Sequence, residues 1–84
     1  MNLKEYIRSI PDYPKKGILF RDITTLIKNE DAFAESVNQI INTLKKYKFD
    51  KIAAIESRGF VFASAVSYIL KKPFILLRKK NKLP

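Results

Sequence analysis

Two short apolar runs, Ile52-Ala53-Ala54-Ile55 and Phe74-Ile75-Leu76-Leu77, flank an almost wholly apolar stretch from Phe60 to Leu70. No other feature constrains the fold of this chain as much. Neither short run alternates apolar with polar residues, which predicts parallel strands covered on both faces. The stretch between them carries small residues at Ala63, Ser64, Ala65 and Ser67. It reads as a buried helix that lets neighbours come close. Pro73 suits the position that opens the second strand. Strand, helix and strand in so short a span require a parallel crossover, which is almost always right-handed. The expected fold class is α/β.

Parallel strands point their carboxyl ends to one edge, and open α/β sheets bind ligands there. That edge consists of Glu56-Ser57-Arg58-Gly59 after the first strand and Arg78-Lys79-Lys80-Asn81-Lys82 after the second. The helix starting near Gly59 turns its free N–H groups and the positive end of its dipole to the same edge. Gly59 allows backbone to approach a ligand closely. Backbone donors, a guanidinium and point-charge lysines together suit a diphosphate. Taken singly, each part has a plainer explanation. An arginine after a strand, or a run of lysines, is often just solvated. Glu56, an acid inside a cationic rim, either pairs with Arg58 at the surface or holds a loop, a metal-bound water or a ribose hydroxyl. Convergence on one edge is what favours an anion site.

The charge distribution points the same way. The chain has 17 basic and 8 acidic residues, a net charge of +9, and no acid follows Glu56. Such a one-sided field attracts nucleic acid, an anionic membrane or a phosphorylated metabolite. A coding bias toward lysine accounts for Lys45, Lys46, Lys48 and Lys51, but not for the missing acids.

Upstream, Leu3, Tyr6, Ile7 and Ile10 share one face of a short expected helix, with Asn2 and Glu5 as a capping box and Pro11 as its end. Asp12-Tyr13-Pro14-Lys15-Lys16-Gly17 is turn chemistry. Ile18-Leu19-Phe20 is too brief a run to assign. Asp22 is placed to cap a turn of helix through Leu26 and Ile27. From Asn29 a longer helix carries the stripe Phe33, Val37, Ile40, Ile41, Leu44 and Tyr47 and ends at Phe49-Asp50. Its role is packing. The 84 residues suffice for one small domain with a marginal core. It divides into a helical segment, 1–50, and the strand–helix–strand segment, 51–84. Cysteine and histidine are both absent, which excludes disulfides, thiolate or imidazole metal sites and His-based triads within the chain. The amino terminus lacks the order of a signal peptide, and no apolar run is long enough to span a bilayer. A cytoplasmic location is expected.

Three segments carry a family resemblance: Pro14-Lys15-Lys16-Gly17-Ile18-Leu19-Phe20-Arg21-Asp22-Ile23-Thr24, then Ile55-Glu56-Ser57-Arg58-Gly59-Phe60-Val61-Phe62, then Arg78-Lys79-Lys80-Asn81-Lys82-Leu83-Pro84. In order and spacing the chain resembles the adenine phosphoribosyltransferases, of the type I phosphoribosyltransferase family. The resemblance implies a partial phosphoribosyltransferase-type fold, with amino-terminal helices and one βαβ unit of a mostly parallel sheet. The implied activity is transfer of the 5-phosphoribosyl group of phosphoribosyl pyrophosphate to adenine, giving AMP and pyrophosphate. It further implies Mg²⁺ bound through that substrate, no metal ligands from the chain, a homodimer in the full-length protein, and neither nucleic acid nor membrane as partner. Leu19, Phe20 and Arg21 would form the purine pocket, the ring of Phe20 stacking on the base while flanking main-chain groups read its edge. Glu56, Ser57, Arg58 and Gly59 would form the pyrophosphate loop, with a non-proline cis peptide at Glu56–Ser57. Arg78, Lys79 and Lys82 would reach the pyrophosphate, and Arg58 and Arg78 would be the catalytic cations.

Asn81 stands where the family has glycine and Thr25 where proline is common. The family's flexible catalytic loop, and the acid-pair, Thr/Gly-rich turn that cradles the ribose 5-phosphate, have no counterpart here. The chain is therefore expected to be the amino-terminal half of an enzyme, inactive alone. The rival readings are a basic nucleic-acid-binding module, a non-catalytic nucleotide sensor of the same fold, and an enzyme for another purine.

Overall fold

The computed structural model describes residues 1–81. They form two compact units that meet between Asn38 and Gln39.

The first unit begins with one turn of 3₁₀ helix, Leu3–Tyr6. The Asn2 side chain accepts the Lys4 N–H (3.1 Å) at its start. The helix expected to reach Ile10 goes no further. Strand β1, Arg8–Pro11, takes its place and pairs antiparallel with β2, Leu19–Asp22, in the register Arg8 with Asp22, Ser9 with Arg21, Ile10 with Phe20 and Pro11 with Leu19. Two turns of isolated helix are marginal in water, and the ribbon satisfies the same backbone groups through a partner. The turn between the strands is where the sequence put it. Asp12 and Gly17 both have positive φ (55° and 87°), Tyr13–Pro14 is cis, and the Asp12 carboxylate accepts the Gly17 N–H at 2.8 Å. Helix α1, Thr24–Lys28, follows, with Leu26 buried. Ile23 occupies the cap position without a side-chain cap bond; Asp22, one residue before it, accepts from both the N–H (2.9 Å) and the hydroxyl (2.8 Å) of Thr24. Helix α2, Glu30–Leu44, opens where Asn29 accepts the Ala32 N–H (2.9 Å). Its residues from Gln39 on belong to the second unit; Ala32, Ser36 and Val37 are buried before that point and Ile41 after it. It ends at Leu44, short of Tyr47, which is exposed.

The second unit contains strand β3, Ile52–Ile55, helix α3, Arg58–Leu70, and strand β4, Phe74–Leu77. β3 and β4 pair in parallel, Ile52 with Phe74 through Ile55 with Leu77. Helix α3 starts at Arg58, ahead of the expected Phe60, and ends with Lys71 in the left-handed conformation (φ 56°). It packs on the sheet face that carries Ala54 and Phe74, where Phe60 meets Phe74 edge-on (5.8 Å). The opposite face is not covered. Ile55 is 69% exposed, and Ile75 and Leu77 are also exposed. The expectation of strands covered on both faces is therefore corrected, because a lone crossover helix covers one side only. Likewise α3 buries a stripe through Ala63 and Val66 while Tyr68 is 85% exposed, so it is not buried all round.

Candidate functional site

Parallel pairing in register makes Glu56 and Arg78 the residues immediately beyond Ile55 and Leu77. The ladder continues one step past the strands, since the Glu56 N–H donates to the Leu77 carbonyl (3.0 Å). The Glu56 carboxylate then makes further links across the rim. Its Oε1 accepts the Lys79 N–H at 2.5 Å, and its Oε2 accepts from Nη2 and Nε of Arg78 at 3.2 and 3.3 Å. These donors, the Lys79 N–H first and the guanidinium after it, hold the Glu56 carboxyl below the usual carboxylate range. The sequence had offered Arg58 as the surface partner of Glu56; the structure pairs Glu56 with Arg78. The alternative, that Glu56 holds a loop, describes what is seen.

The Glu56–Ser57 peptide is cis, as the resemblance implied. It lies directly before α3, so Ser57, Arg58 and Gly59 form the turn and first residues of that helix. Arg58 is exposed at the same rim as the main chain of Lys79. A Cβ placed on Gly59 would lie 3.4 Å from the Ala54 Cβ, an ordinary contact distance, so its bare side faces strand β3. Lys79 and Lys80 are exposed beyond β4, and Asn81 has φ 71°, a left-handed conformation that asparagine tolerates in place of glycine. Lys82 lies outside the described residues.

In the first unit, Leu19, Phe20 and Arg21 are consecutive on β2. Strand alternation sends Phe20 to one face of the ribbon and Leu19 and Arg21 to the other. One ligand can meet the Phe20 ring and the main chain on either side of it. Phe20 packs edge-on against Tyr13, with ring centroids 5.2 Å apart. On the opposite face, Arg21 donates to the Ser9 hydroxyl across the ribbon. Two residues beyond Phe20 and on its face of the strand, Asp22 binds Arg8 through Nη2 (2.5 Å) and Nε (3.0 Å). The Thr24 N–H, the Arg8 guanidinium and the Thr24 hydroxyl lower the Asp22 carboxyl to about 2. Tyr13, Ser9 and Arg8 escaped the sequence reading because their roles depend on the hairpin register. Arg8 and Asp22, placed either side of a strong turn signal, were the available clue.

Among the described residues, no three or more carboxylate, imidazole or thiol side chains come together as a metal cage. The carboxylate nearest the rim, Glu56, already has protein donors on both oxygens.

No protein-family model matches the chain. Over all 84 residues it is 83% identical to the adenine phosphoribosyltransferase of Pelagibacter ubique, covering 48% of that protein. It is 55% identical to that of Brachyspira hyodysenteriae, covering 49%. Among solved structures, the adenine phosphoribosyltransferase of Thermoanaerobacter pseudethanolicus matches with a TM-score of 0.92 at 48% identity, over 98% of this chain and 49% of that one. The Giardia lamblia enzyme, complexed with 9-deazaadenine, matches with a TM-score of 0.90 at 34% identity, over 98% and 45%. The chain thus spans about half the length of the curated relatives it matches. Its fold is the corresponding part of the phosphoribosyltransferase-type α/β fold, and the likeness first carried by three segments extends along the whole chain.

Proposed function

We propose that these residues form the purine and pyrophosphate side of an adenine phosphoribosyltransferase, which joins adenine to phosphoribosyl pyrophosphate to give AMP and pyrophosphate. The observation that carries this reading is the rim at the carboxyl ends of β3 and β4. There the turn into α3 and the basic segment after β4 are tied together in a chain 83% identical to a protein of that name. In the reaction, N9 of adenine attacks C1 of the ribose. The C1–O bond breaks, its electron pair leaves with pyrophosphate, and the N9 proton passes to solvent. Fixed positive charge at the leaving group lowers the barrier. We assign that charge to Arg58, the first N–H groups of α3 and the lysines after β4, with Ser57 and Gly59 shaping the turn. Phe20, with the main chain of Leu19 and Arg21, would hold the base. A backbone donor–acceptor pair there distinguishes an amino-purine from an oxo-purine. Magnesium would be held by the substrate's own phosphate oxygens and would neutralise part of their charge. We extend the reading to a cytoplasmic homodimer, as the resemblance implies; no helix among the described residues is long and apolar enough to cross a membrane.

The test is a graft in which these 84 residues replace the aligned stretch of the Pelagibacter ubique relative. The grafted protein should form AMP from adenine, and far less product from hypoxanthine or guanine. Arg58→Ala should cost on the order of a hundredfold in kcat/KM for phosphoribosyl pyrophosphate with the fold intact. Unchanged turnover would remove the assignment of Arg58. The nucleic-acid reading calls for exposed aromatics interleaved with basic residues; Phe60, Phe62 and Phe74 beside the rim are half-buried, while Tyr47, between Lys46 and Lys48, is exposed. Salt-dependent RNA binding by a graft that makes no AMP would restore it.

A further inference from the structure

We propose that Tyr13 is a positioning residue whose ring holds the Phe20 ring in the orientation that stacks on the purine. Affinity for the base then depends on a residue that is not itself a ligand. This rests on the purine-binding role proposed above for Phe20.

A ring that stacks on a planar base contributes most when it already stands in place, since a side chain ordered only on binding gives back rotamer entropy. The hairpin register supplies the frame. Phe20 lies opposite Ile10 in the antiparallel pair. On the same face, two residues along, the Asp22 carboxylate is held by Arg8. These neighbours bound the ring at its side and at the end away from the turn. At the turn end stands Tyr13, with ring centroids 5.2 Å apart and ring planes at 62°. That edge-on arrangement is one the aromatic quadrupole favours, and it depends on angle as well as distance. Tyr13 is fixed from behind by its own main chain. Its N–H donates to the Ile18 carbonyl (3.1 Å), and the turn that carries it is closed by the bond from the Gly17 N–H to the Asp12 carboxylate (2.8 Å). Tyr13 is 53% exposed while Phe20 is half-buried. A ring left half in water gains little from its own burial; what it offers the ribbon is the contact with Phe20.

The graft described above tests this. Tyr13→Ala should raise the KM for adenine about fivefold, the size expected for losing one edge-on aromatic contact, while that for phosphoribosyl pyrophosphate moves little. Tyr13→Phe, which keeps the ring, should recover the parental value; Tyr13→Leu, which keeps apolar bulk without a ring, should not. In a Phe20→Leu background, Tyr13→Ala should add nothing further to the KM for adenine. A hairpin merely loosened would lower kcat through loss of folded protein and leave both KM values unchanged. That outcome, or an effect of Tyr13→Ala that persists in full beside Phe20→Leu, overturns the proposal. So does a Tyr13→Phe variant as weak as Tyr13→Ala, which would make the hydroxyl a ligand of the base. Should Tyr13→Ala fail to fold, Tyr13→Leu carries the same comparisons. The NMR signals of the Phe20 ring give a readout that needs no activity. Without ligand, they should be displaced by the neighbouring ring in the parent and in Tyr13→Phe, and should lose that displacement in Tyr13→Leu and Tyr13→Ala. Unchanged signals in those two variants would refute the positioning role even in a graft that makes no AMP. Absence of AMP formation with the signals behaving as expected would count only against the proposed function.

Discussion

At the residue scale, both perturbed carboxylates serve backbone geometry as well as charge. Asp22 accepts two bonds from Thr24 to start α1 while pairing with Arg8 across the ribbon. Its folded pKa, about 2, lies below its ordinary value of 3.8. The sign follows from that direction: the stabilisation is complete above the ordinary value and is lost as pH falls through the folded one. In urea melts of the graft, the difference between the parent and Asp22→Asn should therefore be constant above about pH 5 and shrink toward pH 2. Asparagine also caps helices well, so the variant isolates the charge. A difference that does not change with pH would mean that the charge on Asp22, held by the Thr24 N–H and Arg8, contributes nothing to stability. That Asp22 stands at the start of α1 was legible in the sequence; the pairing with Arg8 was not, since it needs the strand register.

At the scale of elements, a glycine separates packing from ligand binding. The bare side of Gly59 faces Ala54 of β3 at 3.4 Å, an ordinary contact distance for a methyl group. Gly59→Ala should fold as well as the parent or better, gaining up to about 1 kcal/mol of helix propensity. Gly59→Val should lower the melting temperature, because its branches have no room against the strand. Loss of phosphoribosyl pyrophosphate binding in a well-folded Gly59→Ala would show instead that the ligand lies against that residue. Gly17 is the contrary case. Its φ of 87° is left-handed, and Gly17→Ala should destabilise the ribbon by about 1 kcal/mol, read from thermal melts. The turn that needs Gly17 was evident from its residues. The strand before it was not, because Leu3, Tyr6, Ile7 and Ile10 satisfy a helical period, and only pairing with Leu19–Asp22 made extended chain the better solution.

At the scale of the molecule, the second unit is a two-stranded sheet with one apolar face open through Ile55, Ile75 and Leu77. Two strands are too few for independent stability, and exposed apolar faces bind whatever covers them. The 84 residues alone should therefore bind a hydrophobic dye and melt without a sharp transition; a cooperative melt without dye binding would show the face to be adequately covered. The sequence by itself determined the parallel β3–α3–β4 unit, the turn and caps of the first unit, and the basic rim, because apolar runs, capping residues and one-sided charge are local properties. Tertiary structure alone decided which partners those residues take. Register set Arg78 against Glu56, strand alternation divided Leu19 and Arg21 from Phe20, and helix packing turned Gly59 toward Ala54. Each of these depends on distances between segments remote in sequence, which no local pattern encodes.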